Sequence, residues 1–342
     1  MKTIFEPKIM RNFSFLLLTL LAYATGLQAQ TQSETVHIND LNVRDPYIVA
    51  DPEAQVYYLY KSSPIATAAG TKSGVVAYTS KDLKQWEGPH TVFITPDDNW
   101  ITGAIWAPEV HVYKGRYYLF ATLNSDIEWR GRREDWPPHT FRGTQIFHAD
   151  SPMGPFLPFA DKMPHTPIDR MALDGTLWVE DGRPYMIYCY EWVEAVDGTM
   201  ELVELTDDLS ATVGPSIRLF NASSAIWATG NLHEDGTRSY VTDGCFVYRT
   251  KTGKLLMIWS SFKDGKYAIG IAESVTGKLV GPWRQQDDLL FGEHGGHGMI
   301  FKKFDGQLML TFHQPNSPGG AERAVIYELS DEGDTLRVVR AH

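Results

Sequence analysis

Apolar residues along this chain alternate with polar ones over short stretches, and no segment sustains the three-to-four-residue spacing of an amphipathic helix. Runs such as "VVAYTS", "RYYLFATLNS", "YMIYCYEW" and "KLLMIWSSF" are rich in aromatic and β-branched residues, which favour strands. The glycine-containing breaks "KGR", "EDGR", "KTGK" and "FDGQ" separate such runs as hairpin turns would. The pattern predicts an all-β protein.

The strands group into a repeating unit: an acid- or glycine-containing opening, a strand, a turn, then an aromatic-rich strand. Copies begin at Arg44 ("RDPYIVADPEAQVYYLYKSS"), Ala107 ("APEVHVYKGRYYLFATLNS"), Leu173 ("LDGTLWVEDGRPYMIYCYEW"), Thr242 ("TDGCFVYRTKTGKLLMIWSSF") and Gly296 ("GHGMIFKKFDGQLMLTFHQPN"). Taking Asp45, Glu109, Asp174, Asp243 and Gly298 as equivalent gives spacings of 64, 65, 69 and 55 residues. Each unit continues into a third strand, as in "SGVVAYTSKDLKQW" and "YAIGIAESVTGKLVGPW". Five units of about four strands predict a five-bladed β-propeller, a single domain over residues 36–342. A sandwich or barrel is the runner-up, but neither accounts for the content of the repeat. In a propeller the first strand of each blade lines the axis, so acids far apart in sequence meet at one pocket.

The first 29 residues have a different character. Lys2, Lys8 and Arg11 precede the apolar run from Phe13 to Gly26, and Ala29 offers a small residue for cleavage. This is the pattern of a secretory signal peptide, so the mature chain is expected to be exported to the periplasm or medium. The run is too short for a confident membrane span, and no cysteine follows it to carry a lipid. Only Cys189 and Cys245 exist; they could pair, though buried free thiols are the preferred reading.

With 43% hydrophobic residues in 342, the chain can bury a large core. Lys plus Arg total 31 against 42 Asp plus Glu, a formal charge of −11. With no basic run, that balance argues against nucleic acid or an anionic membrane as partner and leaves neutral ligands open. The 10 Trp, 16 Tyr and 16 Phe suit strands and stacking on sugar rings. A monomer is expected.

A carboxylate at a propeller axis is costly unless paired, solvated or bound to ligand. Three of them point to a pocket that uses acids. The stretches "RDPYI" (Arg44 to Ile48), "WAPEV" (Trp106 to Val110), "LDGTLW" (Leu173 to Trp178), "TDGCFVY" (Thr242 to Tyr248) and "GGHGMIF" (Gly295 to Phe301) stand one per blade, in order. In these the chain resembles glycoside hydrolase family 43, five-bladed propeller enzymes that cleave plant-type glycans, from about Asn42 to Leu336. The resemblance implies inverting hydrolysis with Asp45 as general base, Asp174 as the acid that orients and raises the pKa of its neighbour, and Asp243 as general acid. Where this chain has Asp243 the family usually has Glu. An Asp is one methylene shorter, so Glu191 in "YCYEW" stands as the alternative acid.

His297 falls where family members often hold a central calcium ion, mostly through waters; no organic cofactor is implied. Trp106 could wall the sugar site, and Glu109 and Arg323 are candidate substrate contacts, with His313 and Gln314 reaching in from the fifth blade. The expected function is an exo-acting glycosidase releasing arabinose-, xylose- or galactose-type residues from oligo- or polysaccharide. The alternative is a propeller that binds glycan without cleaving it, or cleaves it weakly. The stretch from Asn124 to Gly143, rich in Trp and Arg, is expected to form a rim on the pocket.

Overall fold

In the computed structural model, which describes residues 34–339 apart from 129–132 and 135, five antiparallel sheets form the blades of a β-propeller. The innermost strands are Tyr47–Asp51, Ile105–Tyr113, Ala172–Glu180, Asp243–Arg249 and Gly296–Lys302. From each, the chain meanders outward through hairpins to an edge strand. The first blade gains a fifth strand, Glu34–His37, which pairs with Gln85–Ile94 on its outside. The one described α-helix is a single turn, Trp192–Ala195.

Each sheet is apolar on both faces, because each face packs against a neighbouring blade. The core accordingly divides into five clusters, one per blade junction. Between the third and fourth blades, for example, Leu173, Ile187 and Met200 meet Cys245, Met257 and Trp259. Both cysteines are free and buried in this junction, so they serve as small apolar groups.

Among the described residues no strand is shared between the first and last blades, and side chains and loops close the ring. Asn42 Nδ2 donates to the carbonyls of Gly320 and Glu322, at 2.9 and 3.0 Å. Arg44 Nη1 pairs with Glu322 at 3.1 Å. Ile38, Leu41 and Val43 pack on Met299, Phe301 and Met309 behind that seam. Arg323 belongs to this closure too, its Nη1 donating to the carbonyls of Gly320 and Glu322.

The leader expected over residues 1–29 lies outside the described residues. Among the described residues no helix is long and apolar enough to cross a membrane.

Candidate active site

The repeat aligns differently in space than along the sequence. In four of the five innermost strands the pairing register breaks near the axis: between Trp106 and Glu109, Leu173 and Thr176, Asp243 and Phe246, and Gly296 and Met299. Inside each break one residue has positive φ: Ala107 at 40°, Asp174 at 53°, Gly244 at 44° and His297 at 55°. Asp45, at 51°, holds the same place just ahead of the first blade's strand. The equivalent residues are therefore Asp45, Ala107, Asp174, Gly244 and His297. This corrects the alignment through Glu109, Asp243 and Gly298. Asp243 stands one position earlier, level with Arg44, Trp106 and Leu173.

That shift has a physical use. On a regular strand, consecutive side chains face opposite ways, whereas a bulge turns two neighbours toward one side. Arg44 with Asp45, and Leu173 with Asp174, all line the same pocket. In the fourth blade the bulge residue is Gly244, where an added Cβ would meet the His297 ring at 2.6 Å. Only glycine lets the backbone carrying Asp243 come that close to the axis.

Polar side chains of the neighbouring blade's second strand hold these bulges. Thr122 Oγ1 accepts from the Asp174 amide at 2.8 Å, and Ser260 Oγ accepts from the His297 amide at 2.8 Å. His313 takes the same part for Asp45, its Nδ1 lying 3.3 Å from the amide nitrogen and 3.0 Å from Oδ1 of the carboxylate. A nitrogen so placed accepts from the amide when neutral and donates to the carboxylate when protonated.

The three acids surround one imidazole. His297 Nδ1 lies 3.2 Å from Asp45 Oδ1, 3.9 Å from Asp174 Oδ2 and 3.9 Å from Asp243 Oδ1. Burial by itself would push Asp45 up; the charges of His297, His313 and Arg44 and the His313 hydrogen bond override it and hold the carboxyl well below the usual carboxylate range. Asp174 goes the other way. It is buried, and burial together with the charges of Asp243 and Asp45 drives its pKa well up, against one hydrogen bond from the Gly244 amide at 3.2 Å. Asp243, the most exposed of the three, is fixed by the Tyr267 hydroxyl, which donates to Oδ2 at 2.6 Å. The phenol stays protonated in that role, since burial first and then Asp243 raise its pKa. Its ring stacks on His313 at 5.6 Å, so the supports of Asp45 and Asp243 touch each other.

The pocket above these groups has a volume of about 220 Å³. Trp106 and Trp192 contribute aromatic walls, and Glu191 lies between the third blade and the helical turn that follows it. Glu191 is hydrogen-bonded to Arg142, whose guanidinium sits 4.1 Å above the Trp106 ring. Burial raises the Glu191 carboxyl, with Arg142 opposing.

The structure therefore brings Asp45, Asp174, Asp243, Glu191, Trp106 and His297 into one pocket. It does not bring Glu109, which is buried and bound at 2.8 Å to His111, itself 3.1 Å from the Tyr47 hydroxyl. Two residues past the bulge, its side chain belongs to the blade interior. Arg323 is likewise engaged at the ring seam, and among the described residues it is Arg44 that lines the pocket. His313 is wholly buried beneath Asp45 instead of reaching the rim. Tyr267, Arg142 and Trp192 were not singled out by sequence reasoning. Arg142 and part of the expected rim do fall in the Trp- and Arg-rich stretch, but nothing in the pattern around Tyr267 marked it.

Asp174, Asp243 and His297 offer donor atoms within 4.8 Å of one another, close enough to surround a cation. Calcium takes six to eight oxygen ligands, and a metal bound directly to Asp243 would strip the proton an acid needs. The donor set fits calcium only with water filling most of its shell.

Comparison with known proteins agrees with this geometry. The chain matches the model of glycosyl hydrolases family 43 over residues 38–333. It is 38% identical to the crystal structure of an endo-arabinase from Bacteroides thetaiotaomicron, covering 88% of this chain and 99% of that one with a TM-score of 0.76. An α-L-arabinofuranosidase from Lactobacillus brevis, 19% identical over 88% of this chain and 97% of its own, shares the fold with a TM-score of 0.64. An extracellular exo-α-(1→5)-L-arabinofuranosidase of Cellvibrio japonicus is 24% identical over 189 residues, 51% of this chain and 47% of that protein. The chain thus spans about half the length of that curated relative. With the family's pattern matched across most of its length and a five-bladed fold to carry it, the chain belongs to glycosyl hydrolase family 43.

Proposed function

We propose that this protein is an exported, exo-acting, inverting glycosidase that removes terminal pentosyl units, arabinofuranosyl foremost, from plant cell-wall glycans. The observation that carries the reading is the convergence of three carboxylates on His297 in one pocket walled by Trp106. A pocket of about 220 Å³ has room for one sugar ring, which favours release of single sugars over internal cleavage. The arabinan-acting relatives in Bacteroides thetaiotaomicron and Cellvibrio japonicus support the choice of sugar.

In this scheme Asp45, kept ionised by His297 and His313, takes a proton from a water as that water's oxygen attacks the anomeric carbon. Asp174 and Asp243 hold one proton between them. Asp243 delivers it to the glycosidic oxygen as the bond to the anomeric carbon breaks, and the leaving sugar departs as a neutral alcohol. Attack opposite the leaving group inverts the anomeric centre. Trp106 and Trp192 hold the ring by its apolar face and exclude competing water.

The test is proton NMR of the first product formed from a panel of aryl α-L-arabinofuranosides, β-D-xylosides and β-D-galactosides. Hydrolysis of at least one pentoside with the opposite anomer appearing first is expected. Retention of configuration would overturn the mechanism, and release of oligosaccharides alone from arabinan would overturn the exo assignment. Binding of a glycan with no release of sugar after long incubation would leave a lectin-like propeller.

A calcium ion at the axis forms part of the same reading. His297 would be its protein ligand, with Asp174 and Asp243 reached through water. A ligating imidazole is neutral, so the ion's fixed positive charge would take over from protonated His297 in keeping Asp45 ionised. Dialysis against a chelator should lower activity and added calcium should restore it; unchanged activity with no metal found by elemental analysis would remove the ion from the scheme.

A further inference from the structure

Asp45 leans on His313, and the far side of that imidazole has a partner of its own. His313 Nε2 lies 3.1 Å from Oδ1 of Asn316, in the loop joining the fifth blade's second and third strands, Leu308–Gln314 and Arg323–Asp331. The same Oδ1 lies 3.0 Å from Nη2 of Arg44, the residue before Asp45. Asn316 therefore joins the seam between the first and last blades to the support of Asp45.

Chemistry fixes which atoms carry hydrogen along this line. A guanidinium can only donate, so the Asn316 atom that faces Arg44 is the carbonyl oxygen, and the amide cannot be turned over. That oxygen can only accept, so His313 presents an N–H to it from Nε2. In the neutral ring the single proton is then used, and Nδ1 turns a lone pair toward Asp45. The Asp45 amide, 3.3 Å away, finds its acceptor there. A second proton on Nδ1 would turn the same nitrogen to the Asp45 carboxylate, at 3.0 Å, with the Nε2–H unchanged. In the opposite neutral tautomer, lone pairs would oppose each other at Asn316 and N–H groups at the Asp45 amide.

The surroundings leave this choice to Asn316. The His313 side chain is wholly buried, and the Tyr267 ring lies over it with planes at 19°, which pins the imidazole. Asp45 needs the bond, because its φ of 51° lies in the left-handed region, which a residue other than glycine holds only when its neighbours impose it. The backbone of Asn316 is secured apart from its side chain. Its amide donates to the His294 carbonyl at 2.9 Å, and its own carbonyl accepts from Arg44 Nη1 at 3.2 Å.

From this line of hydrogen bonds through Arg44, Asn316, His313 and Asp45, we infer that Asn316 is a positioning residue for the general base, acting by setting the tautomer of His313. The role of Asp45 as base rests on the glycosidase reading above; the relay itself needs no turnover. Asn316 touches neither substrate nor water in the reaction. It holds the proton of His313 on the side away from Asp45, so that the base stays in place.

Two variants of the full chain test it. Asn316→Leu keeps the volume of the side chain and both backbone bonds but offers no acceptor, whereas Asn316→Asp keeps the acceptor. In long-range proton–nitrogen correlation spectra of histidine-labelled protein, the His313 signals are assigned by their loss in His313→Gln. They should show a protonated Nε2 in the parent and in Asn316→Asp, and a mixture of tautomers in Asn316→Leu. The Asp45 amide should exchange with solvent about tenfold faster in Asn316→Leu, as the loss of one hydrogen bond implies. In that variant kcat should fall about ten- to a hundredfold, alike on an arabino-oligosaccharide and a dinitrophenyl glycoside, with KM little changed. Asn316→Asp should recover most of the loss. Should Asn316→Leu fail to fold, Asn316→Ala, which only shortens the side chain, takes its place in each measurement.

A His313 that keeps its Nε2 proton in Asn316→Leu would overturn the inference, as would a changed tautomer with Asp45 exchange or kcat unchanged. A loss carried by KM, or one that Asn316→Asp does not recover, would make Asn316 a brace of its loop and overturn it as well. If the parent hydrolyses nothing, the glycosidase reading falls alone. The tautomer and exchange changes would then still show Asn316 positioning Asp45, and their absence would overturn the relay whatever the activity.

Discussion

The Asp45→Asn chain should lose about 10⁴-fold in kcat on every substrate the parent hydrolyses while still binding oligosaccharide, the upper end of what a positioned base contributes. Asn preserves the shape of the side chain and its amide contact with His313 but removes the charge that takes the proton from water. The depressed pKa explains why the loss should be so complete. Burial alone would favour the neutral acid, and the site instead uses His297, His313 and Arg44 to keep this carboxylate ionised. Such an arrangement has little value for a structural cap and much for a base that must be free of its proton at the start of each cycle. Single-turnover rates with calorimetry in parallel measure both halves of the expectation. A variant retaining about a tenth of the parent kcat would show that another group activates the water.

The second large effect concerns the acid. Asp243→Asn should lose about 10²–10⁴-fold on a natural glycan, whose leaving oxygen needs a proton, and far less on a dinitrophenyl glycoside, whose leaving group does not. Glu191→Gln should instead lose similar amounts on both, because its effect runs through an orphaned Arg142 and a displaced Trp106. Geometry gives this comparison its point. The distances from His297 to Asp45 and Asp243 together cap the separation of those two oxygens just inside the lower end of the roughly 6.5–9.5 Å that inversion calls for. Glu191 is the carboxyl available if that room proves too small, and the reversed pattern of leaving-group sensitivity would assign the role to it.

The pH profile carries the same distinction. The base must be ionised, and its depressed pKa moves the acidic limb of kcat/KM below the ordinary carboxylate range. The acid must be protonated, and the raised pKa centred on Asp174 keeps a proton in the Asp174–Asp243 pair as pH climbs past the ordinary range, with activity lost as pH rises through the raised value. Asp243→Asn should abolish that alkaline limb when measured on the dinitrophenyl glycoside.

Much of this protein is written in its sequence. Period-two apolar runs, hairpin turns and a unit recurring five times are local properties, and together they point to a propeller over a sandwich or barrel because neither of those accounts for the content of the repeat. The acids Asp45, Asp174 and Asp243 were visible for the same reason, each standing at the head of an innermost strand. Trp106 and His297 were marked by their places in the same repeated stretches.

The contacts that turn those acids into a site are of another kind. Asp45 is held by His313, 268 residues away, and the Asp174 amide by Thr122, 52 residues before it. Thr122 carries no signal of its own, since a threonine in an apolar strand reads as core, and His313 was legible as a fifth-blade residue of the pocket but was expected at the rim, whereas it lies wholly buried beneath Asp45. Tyr267 is hidden as Thr122 is. The alignment through Glu109 failed because a bulge adds a residue to one strand without leaving a gap in the sequence, and a shift of this kind decides which side chains face the axis and which the blade interior. Sequence alone therefore determined the fold and which acids stand at the heads of the innermost strands, whose local surroundings repeat. The tertiary structure alone decided their protonation, their partners and the fate of Glu109 and Arg323, because pKa and orientation depend on charges and hydrogen bonds delivered by neighbouring blades.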